Sequence, residues 1–441
     1  MLNFLLLIII IIIAIIIATT KFKLHPFLTL LLAGIVMGLL AGLNTNDLLA
    51  KLTEGFGSTL KSIGIVIACG TIIGTFLEKS GGAQSMASSV IKLVGEKRSP
   101  LAMTITGYIV SIPVFCDSGF VILSALNKAL SKKTGLSLAV LAVALSTGLY
   151  TTHVFVPPTP GPLAAAATIG ADIGLIILLG LIVSVPTAGV GLLWAHCYCR
   201  RFTIIPSDNA DPVKETERTP PAWFSFAPLI IPIILIALKS IADYPTAPFG
   251  EGYLKNTFGF IGHPVMALII GVFLAFGLKV DRSSESYLDW VASGLKNAGI
   301  IILITGAGGA FGNVLRATGI GDTLGQTMSQ WQLGIFLPFI IAAVLKSAQG
   351  SSTVAIITTA ALVSPLLEPM GFASPLAKAL VVLAIGAGSM TVSHVNDSYF
   401  WVVSQFSDMD TATALRCHTL ATLFQGITGI IVIGILSWIF L

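Results

Sequence analysis

Charge is scarce in this sequence. Only 10% of its 441 residues are Asp, Glu, Lys or Arg, against 55% hydrophobic, and its mean hydropathy is +0.94. That balance excludes an ordinary water-soluble domain and a disordered chain alike. Alternation of polar and apolar residues is also missing. A membrane-spanning β-strand would show it over about ten residues, whereas the apolar runs here are uniform and long enough to cross a hydrocarbon core of about 30 Å as helices. The chain reads as an all-α polytopic membrane protein whose first partner is the lipid bilayer.

Further absences narrow the function. There is no Walker A sequence, so ATP-driven transport within the chain is not expected. The run Gly306-Ala307-Gly308-Gly309-Ala310-Phe311-Gly312 imitates a nucleotide loop but lacks the G-x-G-x-x-G spacing, and close helix packing explains it better. The net charge of +4 is spread over loops without a basic aromatic patch, which gives no reason to invoke nucleic acid. Five cysteines, Cys69, Cys116, Cys197, Cys199 and Cys417, include no C-x-x-C pair and read as free thiols. Cys197 and Cys199 beside His196 fit no usual zinc spacing, so neither a metal nor a cofactor is expected. No nucleophile, base and orienting group stand together, so the chain is not read as an enzyme.

What is present is a set of apolar segments punctuated by basic loops. The segment 2–19 has no basic residue ahead of it and is followed by Lys21 and Lys23, the reverse of a secretory signal. It reads as an uncleaved span with its N-terminus outside. That placement puts Lys92, Lys97, Arg98, Lys132, Lys133, Arg200 and Arg201 in the cytoplasm, as the positive-inside rule requires. The apolar run from Leu101 is interrupted at 111–119 and ends at Lys132-Lys133, so it is bounded by basic residues at both ends. It is read as a re-entrant hairpin over about 101–131 with its tip at Asp117-Ser118-Gly119. A later span breaks at His153 and resumes after Pro162, and residues 200–222 form a polar cytoplasmic linker.

The halves on either side of that linker match. His25-Pro26 opens one apolar run and His263-Pro264 another, a shift of 238 (263 minus 25). Gly70 and Gly308 repeat the same shift of 238 (308 minus 70), and His153 falls opposite His394. The chain is therefore divided into a first membrane repeat, 1–199, and a second, 223–441, whose own hairpin covers about 332–365 with its tip at Gln349-Gly350-Ser351-Ser352-Thr353. Each repeat has about five crossings plus one hairpin, and an odd number of crossings turns the second copy upside down. Two inverted-topology repeats with broken helices meeting at mid-membrane are the construction of secondary transporters.

Polar residues at those breaks are the candidate site, because an intramembrane charge or broken helix is tolerated only inside protein or beside water. Asp117, Ser118, Gly119, Thr152, His153, Gln349, Gly350, Ser351, Ser352, Thr353, Ser393, His394 and Asn396 are assigned to a hydroxylated, anionic solute. Ser and Thr bonding back to their own helices is the structural alternative. Lys346 is read as holding a substrate carboxylate, as balancing Asp117 or Asp397, or as snorkelling to the surface. For proton coupling the candidates are Asp117, Asp397, His153 and His394. Sodium is the rival coupling ion, since hydroxyls, amides and backbone carbonyls can also cage Na⁺.

The runs 152–162 (THVFVPPTPGP), 348–355 (AQGSSTVA) and 393–398 (SHVNDS) resemble the signature runs of the gluconate permease family within the ion transporter superfamily. The resemblance spans essentially the whole chain. It implies proton-coupled uptake of a small sugar acid such as gluconate across a bacterial inner membrane, and it alone leaves room for a homodimer. The chain departs from the family at Thr159, where many relatives have His, and at the more polar run 116–119. Glycerate, other aldonates and D-serine therefore remain open as substrates.

Overall fold

The computed structural model describes residues 7, 10–11, 13–18, 21–206, 219–242, 252–279, 286–318, 333–395 and 397–441, and among them every regular element is a helix. In the first half these are α1 (Pro26–Leu40), α2 (Thr45–Lys79), α3 (Gly82–Val94), α4 (Ser99–Val110), α5 (Cys116–Thr134), α6 (Leu138–Phe155), α7 (Pro160–Ile169) and α8 (Ile173–Cys197). The second half has α9 (Ala222–Ala242), α10 (Tyr253–Ile261), α11 (Pro264–Phe276), α12 (Tyr287–Ala317), α13 (Phe336–Gln349), α14 (Ser352–Val363), α15 (Pro375–Met390) and α16 (Ser398–Phe406). Last comes α17 (Thr411–Ala414), which runs through a π-helical turn, Leu415–Thr419, into α18 (Leu420–Phe440).

The matched landmarks start matched helices by the same chemistry. Proline at the first helical position has no N–H to lose, and the preceding side chain accepts from one of the orphaned N–H groups. His25 Nδ1 accepts from the Phe27 N–H at 3.4 Å at the head of α1, and His263 Nδ1 accepts from the Val265 N–H at 3.4 Å at the head of α11. The long helices that follow, α2 and α12, are capped by Asn44 and Ser286, each accepting from an aspartate N–H three residues on, at 2.9 and 3.3 Å.

Those long helices lie against each other through glycine. The Asn313 amide donates to Lys51 O at 2.8 Å, and a Cβ on Gly55 would meet Gly309 O at 2.5 Å. A Cβ on Gly294 would meet Ile72 Cα at 2.9 Å. Residue numbers rise on one helix as they fall on the other, so α2 and α12 are antiparallel. Two more matched pairs behave likewise. Tyr150 of α6 reaches Ser389 O of α15 at 3.4 Å, while Gly386 packs on Val154 O. Trp194 of α8 donates to Cys417 O at 3.0 Å, and Gln425 of α18 donates to Thr187 O at 3.3 Å.

Among the described residues five helices are long and apolar enough to cross a bilayer, or seven if each bent pair is one span. The sequence predicts about ten crossings, hairpins apart, and the difference lies in segment 2–19 and in two short apolar helices, α1 and α15, of 15 and 16 residues. Helix α15 stops partway, where the polar run after Met390 interrupts it. Segment 2–19 is largely, and Gln332 wholly, outside the described residues, as is most of the linker, 207–218.

Two boundaries differ from the sequence reading. The turn of the first hairpin is at 111–115, and Asp117, Ser118 and Gly119 form the first turn of α5 rather than the tip. Polar residues suit a helix N-terminus as well as a turn, and an acidic residue there is favoured by the helix dipole, so polarity alone misplaced the tip by a few residues. His153 likewise lies inside α6, and the break there runs from Val156 to Thr159 around Pro157 and Pro158.

Candidate functional site

The breaks leave four helices, α5, α7, α14 and α16, beginning inside the protein, with their first N–H groups lacking intrahelical partners. Helix N-termini carry partial positive charge and bind anions. Between the starts of α14 and α16 sits Lys346, in the last turn of α13 and wholly buried. Its Nζ donates to Gly350 O at 2.5 Å and to Asp397 Oδ2 at 2.5 Å, and it lies 5.8 Å from the centre of the Tyr150 ring. Gly350 makes this possible by taking the left-handed conformation, φ +81°, which turns the chain from α13 into α14.

Asp397 caps α16, its Oδ1 accepting from the Tyr399 N–H at 3.1 Å, and its Oδ2 also accepts from Ser393 Oγ at 2.5 Å. The polar chain goes on from there. His418 Nε2 stands 3.3 Å from Ser393 Oγ, and its Nδ1 stands 3.3 Å from Ser146 Oγ on α6. Tyr399 packs edge-on against that imidazole and donates from its hydroxyl to Ser146 O at 2.9 Å. Thr419 and Thr422 fix the backbone of Ser393 through its carbonyl, at 2.5 Å, and its N–H, at 3.0 Å. Beside this chain, Gln425 donates to Thr147 O at 3.0 Å and to Thr151 Oγ1 at 2.7 Å.

The other predicted residues divide into two groups. Asp117 is near the pair and half-buried, with Ser398 Oγ donating to its Oδ2 at 3.3 Å across the N-termini of α5 and α16. Ser351 caps α14, and Ser352 and Thr353 occupy its first turn. The Gln349 amide is buried and neither of its polar atoms has a hydrogen-bond partner among the described residues. The same is true of His153 Nδ1, whose ring faces Phe115 in the first hairpin turn. His394 Nε2 stands 3.0 Å from Ser347 O and ties its break to α13.

The remaining side chains serve packing. Thr152 Oγ1 donates to Tyr108 O at 2.8 Å, joining α6 to α4. A Cβ on Gly119 would meet Leu149 at 2.8 Å, so glycine there lets α5 close on α6. Ser118 turns toward Glu78 at the end of α2. Asn396 lies outside the described residues.

The sequence reading passed over His418, Tyr150 and Tyr399. His418 follows Arg416, which reads as the end of a span, but the π turn carries it inward to full burial. An imidazole two residues from a charge at the edge of an apolar run was the available signal. Among the described residues no group of three or more His, Cys, Asp or Glu side chains is placed to hold a metal ion.

The family profile described as GntP family permease matches residues 3–439. A gluconate permease of Pseudomonas aeruginosa is 35% identical over 428 residues, covering 95% of this chain and 94% of that protein. An inner membrane permease of Escherichia coli (strain K12) is 34% identical over 430 residues, covering 93% of each. In fold the chain is similar to the YdaH transporter of Alcanivorax borkumensis, with a TM-score of 0.62 at 15% identity over 95% of this chain and 99% of that one. The chain belongs to the GntP permease family, and so it is a multi-pass inner-membrane transporter and not an enzyme.

Proposed function

We propose that this GntP-family permease is a symporter that carries a small hydroxylated organic anion, a sugar acid of the gluconate type, together with a proton. The observation that carries the reading is the buried ion pair of Lys346 and Asp397, at the start of α16 and beside the turn into α14. A buried site must stay near neutral, because an uncompensated charge there costs several kcal/mol. Lys346 with ionised Asp397 is neutral, and so is Lys346 with protonated Asp397 and a substrate carboxylate. Proton without anion leaves a bare ammonium. Anion without proton leaves a surplus carboxylate. Only the empty and the doubly loaded states are cheap, and that is the requirement for symport.

The steps follow from the contacts. A proton taken up by Asp397 releases the Lys346 ammonium, which then pairs with the substrate carboxylate while the N–H groups of α14 and α16 face the same charge. The free Gln349 amide and the hydroxyls of Ser351, Ser352 and Thr353 are donors and acceptors for the solute's hydroxyls. Loss of the proton restores the ion pair and expels the anion. Ser393 and His418 form the route by which the proton reaches Asp397. Of the other coupling candidates, Asp117 stands at the rim, and His153 and His394 make no contact with a carboxylate among the described residues.

The inverted arrangement of two repeats, 1–199 and 223–441 about the linker 200–222, with opposed re-entrant hairpins, belongs to the same proposal. It is supported by the antiparallel packing of the matched pairs α2 with α12, α6 with α15 and α8 with α18.

Uptake of labelled gluconate, glycerate and D-serine into proteoliposomes under an inward proton gradient tests the reading. Gluconate should accumulate and a protonophore should abolish accumulation, with no effect of replacing Na⁺ by K⁺ at fixed pH. Accumulation that follows the sodium gradient, or mere equilibration as through a channel, would refute proton symport.

A further inference from the structure

Away from the ion pair, the ends of α7, α12 and α14 and the start of α15 enclose a second cleft of about 470 Å³, within the size range of small-molecule sites. Its charged lining is Arg316, Lys378 and Glu368. The guanidinium is held in place. Arg316 Nη2 donates to Ser364 Oγ at 2.6 Å, and that hydroxyl donates to Thr168 O at 3.0 Å, so α12, the end of α14 and α7 are tied by one chain of bonds. Neither Arg316 nor Lys378 forms an ion pair among the described residues, and Glu368 leaves the cleft one positive charge in excess. The broken span α6 and α7, 138–169, begins beside Lys132 and Lys133 and ends at this cleft. The basic loops mark the cytoplasm. The cleft therefore opens on the opposite, outer face, where a solute taken up by the cell arrives.

We propose that this cleft is an outer anion-capture site, in which Arg316 and Lys378 receive the carboxylate of a hydroxylated organic acid before it reaches Lys346; this rests on the sugar-acid reading above. A planar guanidinium with one of its donors already fixed presents the rest to a carboxylate in a set orientation. A cleft with cations in excess raises the local concentration of anions about tenfold or more, and salt screens the effect. Glu368 opposes dense anionic occupancy, which favours release toward the inner site.

The test pairs kinetics with a probe that does not depend on the transported solute. In proteoliposomes, Arg316→Gln/Lys378→Gln should raise the KM for gluconate about tenfold, leave the maximal rate within about twofold and flatten the dependence of KM on ionic strength. Glu368→Gln should lower KM, and Arg316→Lys should raise KM less than Arg316→Gln, because it keeps the charge but loses the fixed fork. For the second arm, Pro369→Cys lines the cleft and is made in a Cys197→Ser background, since Cys197 is the exposed native thiol and the other four are buried. An anionic thiosulfonate should label Pro369→Cys faster than a cationic one, and the double Gln variant should reverse that preference. Unchanged KM, salt dependence and labelling preference in the double variant would overturn the proposal. Loss of maximal rate with KM unchanged would also overturn it, by making the pair structural. Retained labelling preference with no sugar-acid uptake by the wild type would instead refute the sugar-acid reading and leave the cleft's preference for anions standing.

Discussion

Removing the Lys346 ammonium alone would leave the Asp397 carboxylate buried with hydrogen-bond donors but no counter-charge. Breaking one side of a buried pair costs about 3–5 kcal/mol, whereas replacing both sides by apolar groups is often close to neutral. Lys346→Ala should therefore unfold at clearly lower temperature in detergent, and Lys346→Met/Asp397→Leu should recover most of that loss while transporting nothing. A single variant as stable as wild type would mean that the pair is solvated rather than buried. At this scale much was legible. A lysine and an aspartate inside apolar runs announce themselves because each is costly there. Which acid Lys346 faces was not, because the choice between Asp117 and Asp397 depends on the turn at Gly350 and on the break that follows α15. His418 was hidden because burial by a π turn leaves no mark in composition.

At the scale of helices, glycine decides which elements touch. In α12, a Cβ on Gly309 would meet Gly55 O at 2.8 Å and crowd Thr59, while one on Gly299 would meet nothing within 4 Å. Gly309→Ala should cost about 1–3 kcal/mol through overpacking. Gly299→Ala should gain up to about 1 kcal/mol from helix propensity. Thermal unfolding of the two variants side by side checks the α2–α12 contact, and equal shifts would argue against it. The same packing accounts for the glycine-rich run 306–312, where Gly306 and Gly308 abut Phe56 and Ile357. Many helices were legible as apolar runs and the starts of α1 and α11 as His-Pro, whereas the polar first turns of α2 and α12 hid the caps at Asn44 and Ser286. Break positions were less so, because Asp117 and Ser118 in the first turn of a helix look in sequence like the turn that precedes it.

For the whole molecule, family membership was readable from runs that span the chain, while the duplication suggested by nearly equal shifts between landmarks belongs to the proposal. The assembly of the breaks around one ion pair was not, since it brings together residues as far apart as Ser146 and His418. In the proposed mechanism the carboxylates of Asp397 and of the substrate alternate as the counter-charge of Lys346, with the proton on Asp397 whenever the anion is bound, so neither is moved alone. Asp397→Asn fixes the carboxyl in a neutral form and should sever one from the other. The direct measurement is labelled gluconate movement through that variant in proteoliposomes, with accumulation under a proton gradient and exchange against unlabelled gluconate measured in the same preparation. Exchange retained with accumulation lost is the predicted result. Accumulation equal to wild type would contradict the account, because the coupling proton would then be carried elsewhere.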